Sequence, residues 1–260
     1  MKVHQIIDTM EKLAPQKLAV DWDNPGLLIG DDEQVVTGIL LCLDVNQEVI
    51  DEALRLGANM LISHHPIIYK PIKNITTRTT PGKWMLNMIQ NNMSLYTSHT
   101  NLDIAEGGVN DSLFGALGLV NKEGLYAEGE AFMGRVGDTT QPYTLASFAA
   151  FVGERLGTDI VRYVGPGDAP VKRVAICGGA ASDIGYFKAA KSKGADVYIT
   201  GDIRYHETQR AQGIGLNLID ATHYATENLA MRDVANYLTQ NTTGVHIHVS
   251  SVDLQPFRKA

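Results

Sequence analysis

Apolar residues in this chain come in blocks of five or six, separated by longer stretches with a helical period. That alternation is the pattern of an α/β protein, in which buried strands are joined by amphipathic helices. In the first half the blocks at residues 38–43, 59–63 and 93–98 predict three strands. In the second half the blocks at 172–177, 196–200 and 216–221 predict three more. Helices are predicted over 46–56, opened by a capping Asn46, over 81–91, with Thr80 before a first-turn proline, and over 182–193.

The two halves resemble each other. Gly57-Ala58 and Gly194-Ala195 each end a helix, and a polar residue, Asn59 or Asp196, then opens a buried strand. Further on, each half ends a strand in a histidine followed four residues later by a carboxylate, as His99 with Asp103 and as His223 with Glu227. A duplicated α/β unit with a site between its copies is therefore expected, the first repeat over 1–125 and the second over 126–260. The segment 121–137 reads as a bridge between them. The first repeat carries extra loop, mostly over 66–80.

Composition narrows the class. At 260 residues, 44% hydrophobic and 20% charged, the chain can bury a substantial core and is not of the disordered kind. A net charge of −7 gives no basic stripe for a nucleic-acid backbone. No apolar run approaches the ~18 residues that cross a bilayer, and the amphipathic start at Met1-Lys-Val-His is unlike a signal peptide. Cys42 and Cys177 lie inside apolar blocks, as buried reduced thiols of a cytoplasmic protein do.

The candidate chemistry gathers where strands end. Ile62-Ser63 runs straight into His64-His65, and Pro66 then holds His65 extended. Adjacent residues of an extended chain point to opposite sides, but at a strand-to-loop exit the two imidazoles can instead diverge around a metal pair, each addressing a different ion. The set His64, His65, Asp103, His223 and Glu227 offers nitrogen and oxygen donors that suit a borderline divalent metal. It is large enough for two ions, with open positions for water and one carboxylate as a bridge. His99 is a ligand, an orienting partner or a proton shuttle, and His206 is a second candidate shuttle. Asp202 reads either as a cap for the helix that follows or as a site residue. Gly178-Gly179 reads as a tight turn or as an amide cradle for an anion. His4, His246 and His248 read as solvent-facing.

Taken together, Trp22-Asp-Asn-Pro-Gly26, Ser63-His-His-Pro66, Ser98-His-Thr-Asn-Leu-Asp103, Thr200-Gly-Asp202 and Thr222-His-Tyr-Ala-Thr-Glu227 resemble the NGG-interacting-factor-three-like family. Its bacterial members are labelled GTP cyclohydrolase 1 type 2 homologues. The resemblance implies two intertwined α/β repeats with mixed sheets and a dinuclear metal site in the cleft between them. It also implies a toroidal homohexamer and, carried over motif by motif, the same five ligands. This chain resembles the short form, without an inserted domain.

The function expected is that of a dinuclear-metal hydrolase of the cyclohydrolase type, acting on GTP or a related nucleotide with two divalent ions per chain, whether zinc, iron or manganese. The alternative from another class is a metal-binding scaffold that assembles partner proteins without turnover.

Overall fold

The computed structural model describes residues 1–259 and has mixed α/β architecture with two mixed sheets. In chain order the elements begin with α1 (Val3–Leu13), β1 (Gly26–Ile29), β2 (Gly38–Cys42), α2 (Gln47–Leu56), β3 (Met60–Ser63), α3 (Thr80–Gln90), β4 (Ser94–Thr97) and α4 (Thr100–Ile104). They continue with α5 (Val109–Ala116), β5 (Val120–Glu128), β6 (Ala131–Thr144), α6 (Leu145–Leu156), β7 (Arg162–Val164), β8 (Pro170–Ile176) and α7 (Ile184–Ser192). Last come β9 (Val197–Thr200), α8 (Tyr205–Gly213), β10 (Asn217–Asp220), α9 (His223–Glu227), α10 (Ala230–Asn241) and β11 (His246–Val249). The chain forms two compact units, one of Met1–Gly108 with Met231–Leu254, the other of Val109–Ala230 with the residues from Gln255.

In the first unit the strand order is β1-β4-β3-β2-β11. Strands β4, β3, β2 and β11 run parallel and β1 closes one edge antiparallel. Strands β2, β3 and β4 are buried along their whole length because both faces of the sheet are covered there, while β11 on the edge is partly exposed. Leu40, Leu61 and Leu95 pack with Val49 and Ile50 of α2 and Met85 and Met88 of α3. Strand β11 is contributed by the C-terminal end of the chain, and Glu52 of α2 secures its exit. The Glu52 carboxylate accepts from the Ser250 hydroxyl at 2.5 Å and from the Ser251 amide at 3.0 Å.

In the second unit the order is β5-β6-β8-β9-β10-β7, with β8, β9 and β10 parallel and the flanking strands antiparallel. Phe148 and Val152 of α6 cover Val174, Ile176, Val197, Ile199 and Ile219. The three parallel strands here answer to β2, β3 and β4 of the first unit. The repeated Gly-Ala works identically in both. Gly57 (φ 70°) and Gly194 (φ 75°) take left-handed backbone, and the next amide, Ala58 or Ala195, returns to the carbonyl of Ala53 or Ala190.

Two local expectations are corrected. Residues 121–137 are not a bridge but most of the β5–β6 hairpin. Strand β5 lies on the sheet edge and exposes most of its residues, so its sequence lacks the apolar block that marks a covered strand. Helix α3 is capped one residue earlier than predicted, by Thr79, whose hydroxyl accepts from the Gly82 amide at 3.2 Å. Asn46 caps α2 as expected, accepting from the Val49 amide at 2.9 Å.

Candidate metal centre

The candidate ligands sit where parallel strands end, the position at which open α/β sheets present their chemistry. In the first unit the ladder continues one step beyond the strands. The amides of His64 and His65 donate to the carbonyls of Cys42 and Leu43, and that of Ser98 donates to Ser63. The Ser63 hydroxyl lies 2.9 Å from that of Thr97, so β3 and β4 leave the sheet side by side. His64, His65 and His99 are thereby brought together. The ring centroids of His64 lie 5.0 Å from His65 and 5.2 Å from His99. One ring nitrogen of each histidine lies within 4.8 Å of one from each of the others. His64 and His65 lie past the strand end, where alternation no longer sends neighbouring side chains to opposite sides of the sheet.

Each ring is held by its Nδ1. His64 Nδ1 donates to the Ser98 carbonyl at 3.0 Å, His65 Nδ1 to Asp44 Oδ1 at 2.8 Å, and His99 Nδ1 to Asp23 Oδ1 at 2.7 Å. A carbonyl or ionised carboxylate can only accept, so Nδ1 is the donor in each pair, and in a neutral ring the lone pair is then on Nε2. Asp23 is itself fixed by the amide of Thr100 at 3.0 Å and its hydroxyl at 2.5 Å. Burial disfavours its charge, but hydrogen bonds from His99 and Thr100 outweigh that penalty and hold the carboxyl down at about 2. Asp103, on α4, places Oδ1 3.5 Å from His64 Nε2.

In the second unit His223 and Glu227 occupy the two ends of the five-residue helix α9. One helical turn brings His223 Nε2 to 2.9 Å from Glu227 Oε2. His223 Nδ1 donates to Asp202 Oδ2 at 2.8 Å. Asp202 is therefore the orienting carboxylate of this histidine, while Arg204 occupies the cap position of α8. Asp202 (φ 53°) and Thr222 (φ 67°) both have left-handed backbone, a conformation that costs a β-branched threonine dearly. Asp220 holds both segments: its carboxylate accepts from the Thr222 amide at 3.0 Å and from the Ile203 amide at 3.2 Å.

Gly178-Gly179 makes no anion cradle, since its amides are already used. Gly178 donates to Asn110 Oδ1 and Gly179 to Thr226 Oγ1, each at 3.0 Å. Gly179 is there for space as well as for its φ of 68°. A Cβ on it would collide with Glu227 Oε1 and lie 3.2 Å from His223 Nε2. His206 lies exposed on α8 with its ring against Tyr205, and it belongs to no metal-capable cluster among the described residues. His246 is exposed, while His4 and His248 are half-buried.

These donors suit a divalent ion. Ligands about 2.1 Å from an ion lie at most ~4.2 Å from one another, and one ring nitrogen each of His64, His65 and His99, mutually within 4.8 Å, are near that spacing. A nitrogen and a carboxylate oxygen 2.9 Å apart on one helix face form a chelating pair. Among the described residues, neither cysteine belongs to these metal-capable groups. Cys42 is buried in the first core, which pushes its thiol well above the ordinary range.

The family model described as Duf34/NIF3 (NGG1p interacting factor 3) matches residues 1–256. The chain belongs to the DUF34/NIF3 family. Among similar NIF3 relatives is a protein of Clostridium perfringens named GTP cyclohydrolase 1 type 2 homolog, 37% identical over 230 residues and covering 87% of each chain. A protein of the same name from Lactococcus lactis is 34% identical and covers 99% of each chain. The crystal structure of a Bacillus cereus protein related to NIF3 matches with a TM-score of 0.94 at 29% identity, over 100% of this chain and 99% of that one. Among the described residues of this NIF3 chain, no helix is long and apolar enough to cross a membrane.

Proposed function

We propose that this NIF3-family chain is a metal-dependent hydrolase of the cyclohydrolase type. Its ligands are two divalent ions, bound by His64, His65, Asp103, His223 and Glu227, and its substrate is GTP or a related nucleotide. The observation that carries the reading is the shared state of four imidazoles. His65, His99 and His223 each direct Nδ1 to a carboxylate and His64 to a carbonyl, an arrangement that makes Nε2 a more basic and better aimed ligand. A solvated histidine needs no such partner. The name carried by the relatives, GTP cyclohydrolase 1 type 2 homolog, supports the choice of substrate.

Divalent ions in such a set would supply Lewis acidity for the attack of water on a purine ring. The chain's own residues supply orientation and proton handling. Asp44 and Asp202 aim His65 and His223. His99, backed by the ionised Asp23, can take a proton at Nε2 and hold it as an imidazolium beside a carboxylate. His99 therefore suits the shuttle role better than the exposed His206. Assembly into a toroidal homohexamer working in the cytoplasm belongs to the same proposal, and light scattering tests the stoichiometry.

The deciding experiment reconstitutes the purified chain with zinc, iron or manganese and assays a nucleotide panel beside His64→Ala. Turnover by the loaded protein and its loss in the variant are expected. A loaded protein that turns over no nucleotide would refute the hydrolase in favour of a binding scaffold.

A further inference from the structure

The first unit exposes a tryptophan at the border of its histidine cluster. Trp22 is 58% exposed, yet its ring centroid lies 6.1 Å from that of His99 and 5.7 Å from that of Tyr69, itself 48% exposed. Both neighbours meet the indole at steep angles, 68° and 61°. The residues that follow Trp22 hold it there. Asp23 is sunk beneath it, bonded to His99 and Thr100, and Asn24 Nδ2 donates to the Ile68 carbonyl at 2.6 Å, tying this loop to the one that carries Tyr69. Leaving so large an apolar surface in water works against folding. An exposed indole with Tyr69 edge-on beside it leaves an open aromatic face on which a flat ring can stack.

We propose that Trp22 and Tyr69 form a binding platform for the planar, uncharged nitrogen heterocycle of a small-molecule ligand of purine or pteridine size. This assigns the ligand's ring to the border of the His64–His65–His99 cluster, and it rests on reading that cluster as the functional site. Local charge on the Trp22 side favours an uncharged ring over a phosphate there. Asp21 and Asp23 flank Trp22 and Asp44 lies against His65, while the exposed lysines of this border, Lys70 and Lys73, stand on the loop that carries Tyr69.

The test is equilibrium dialysis of guanosine, and separately of ribose 5-phosphate, against the metal-free full chain and its Trp22→Leu and Tyr69→Leu variants. Trp22→Phe keeps a ring and controls for loop damage, and fluorescence in a Trp84→Phe background isolates the Trp22 signal. Saturable guanosine binding with quenching, no retention of ribose 5-phosphate, about tenfold weaker binding in each leucine variant and partial recovery in Trp22→Phe are expected. Guanosine retention unchanged in Trp22→Leu, or absent up to millimolar concentration, overturns the platform. So does quenching that follows protein concentration instead of guanosine, since the patch then covers a second copy of the chain. Metal uptake by the same samples keeps the two readings apart. Guanosine binding without metal uptake would sink the proposed hydrolase and leave the platform standing.

Discussion

Asp202 and His223 are joined by a 2.8 Å hydrogen bond between Oδ2 and Nδ1, across 21 positions of sequence. The same pairing joins Asp44 to His65 across 21 positions and Asp23 to His99 across 76. Three imidazoles are thus aimed by carboxylates that lie outside the proposed ligand set.

Asp44→Asn should weaken metal binding about 10–100-fold while leaving the fold intact. The side chain of Asp44 is 48% exposed, so its loss removes an orienting charge and little packing. Competition with a chromogenic chelator measures the effect. An affinity equal to that of the unaltered chain would show that His65 orients without its carboxylate.

Gly179→Ala should displace Glu227, lower the metal content and cost stability. The methyl would collide with Glu227 Oε1, and a φ of 68° penalises any side chain by about 1–2 kcal/mol. Gly118→Ala is the matched control, with a φ of 62° and nothing within 4 Å of the added Cβ. Both variants should unfold at lower denaturant concentration, but only Gly179→Ala should lose metal. Equal metal content in the two would mean that Glu227 tolerates the intrusion.

Glu227→Gln keeps size and shape and removes the charge. Metal analysis of this variant should fall below the proposed two ions per chain, with thermal unfolding little changed. Two ions retained tightly would refute a bridging role for this carboxylate, and wholesale unfolding would identify it as structural.

Glu52 predicts an acid-sensitive attachment of the C-terminal strand. Burial raises its carboxyl, but hydrogen bonds from Ser250 and Ser251 prevail and leave it below its usual 4.5. A depressed carboxylate contributes stability that is present above the unfolded-state value and lost as pH falls through the folded-state value. Urea midpoints should therefore decline below about pH 4.5 in the unaltered chain. In Glu52→Gln the stability should start lower, by about 1–3 kcal/mol, and the midpoints should depend less on pH over that window. An identical acid slope in both proteins would assign the decline to other groups.

Sequence by itself determined the alternation of strands and helices, the repeated Gly-Ala closures and the grouping of histidines at strand ends. These are local properties. A covered parallel strand needs a continuous apolar block, a helix end needs a residue that tolerates φ near 70°, and a histidine directly after a strand stands at the sheet's rim. Tertiary structure alone decided which carboxylates aim those histidines, why Gly179 must lack a side chain, and that β11 pairs with β2. Asp23 and Asp44 look like ordinary loop aspartates, since nothing in one stretch of chain marks a partner 76 or 21 residues away. Edge strand β5 was equally hidden, because a strand open to water on most of its length has no reason to be apolar. Contacts set by the packing of distant segments leave no period in the sequence, and the orientation of every imagined ligand depends on such contacts.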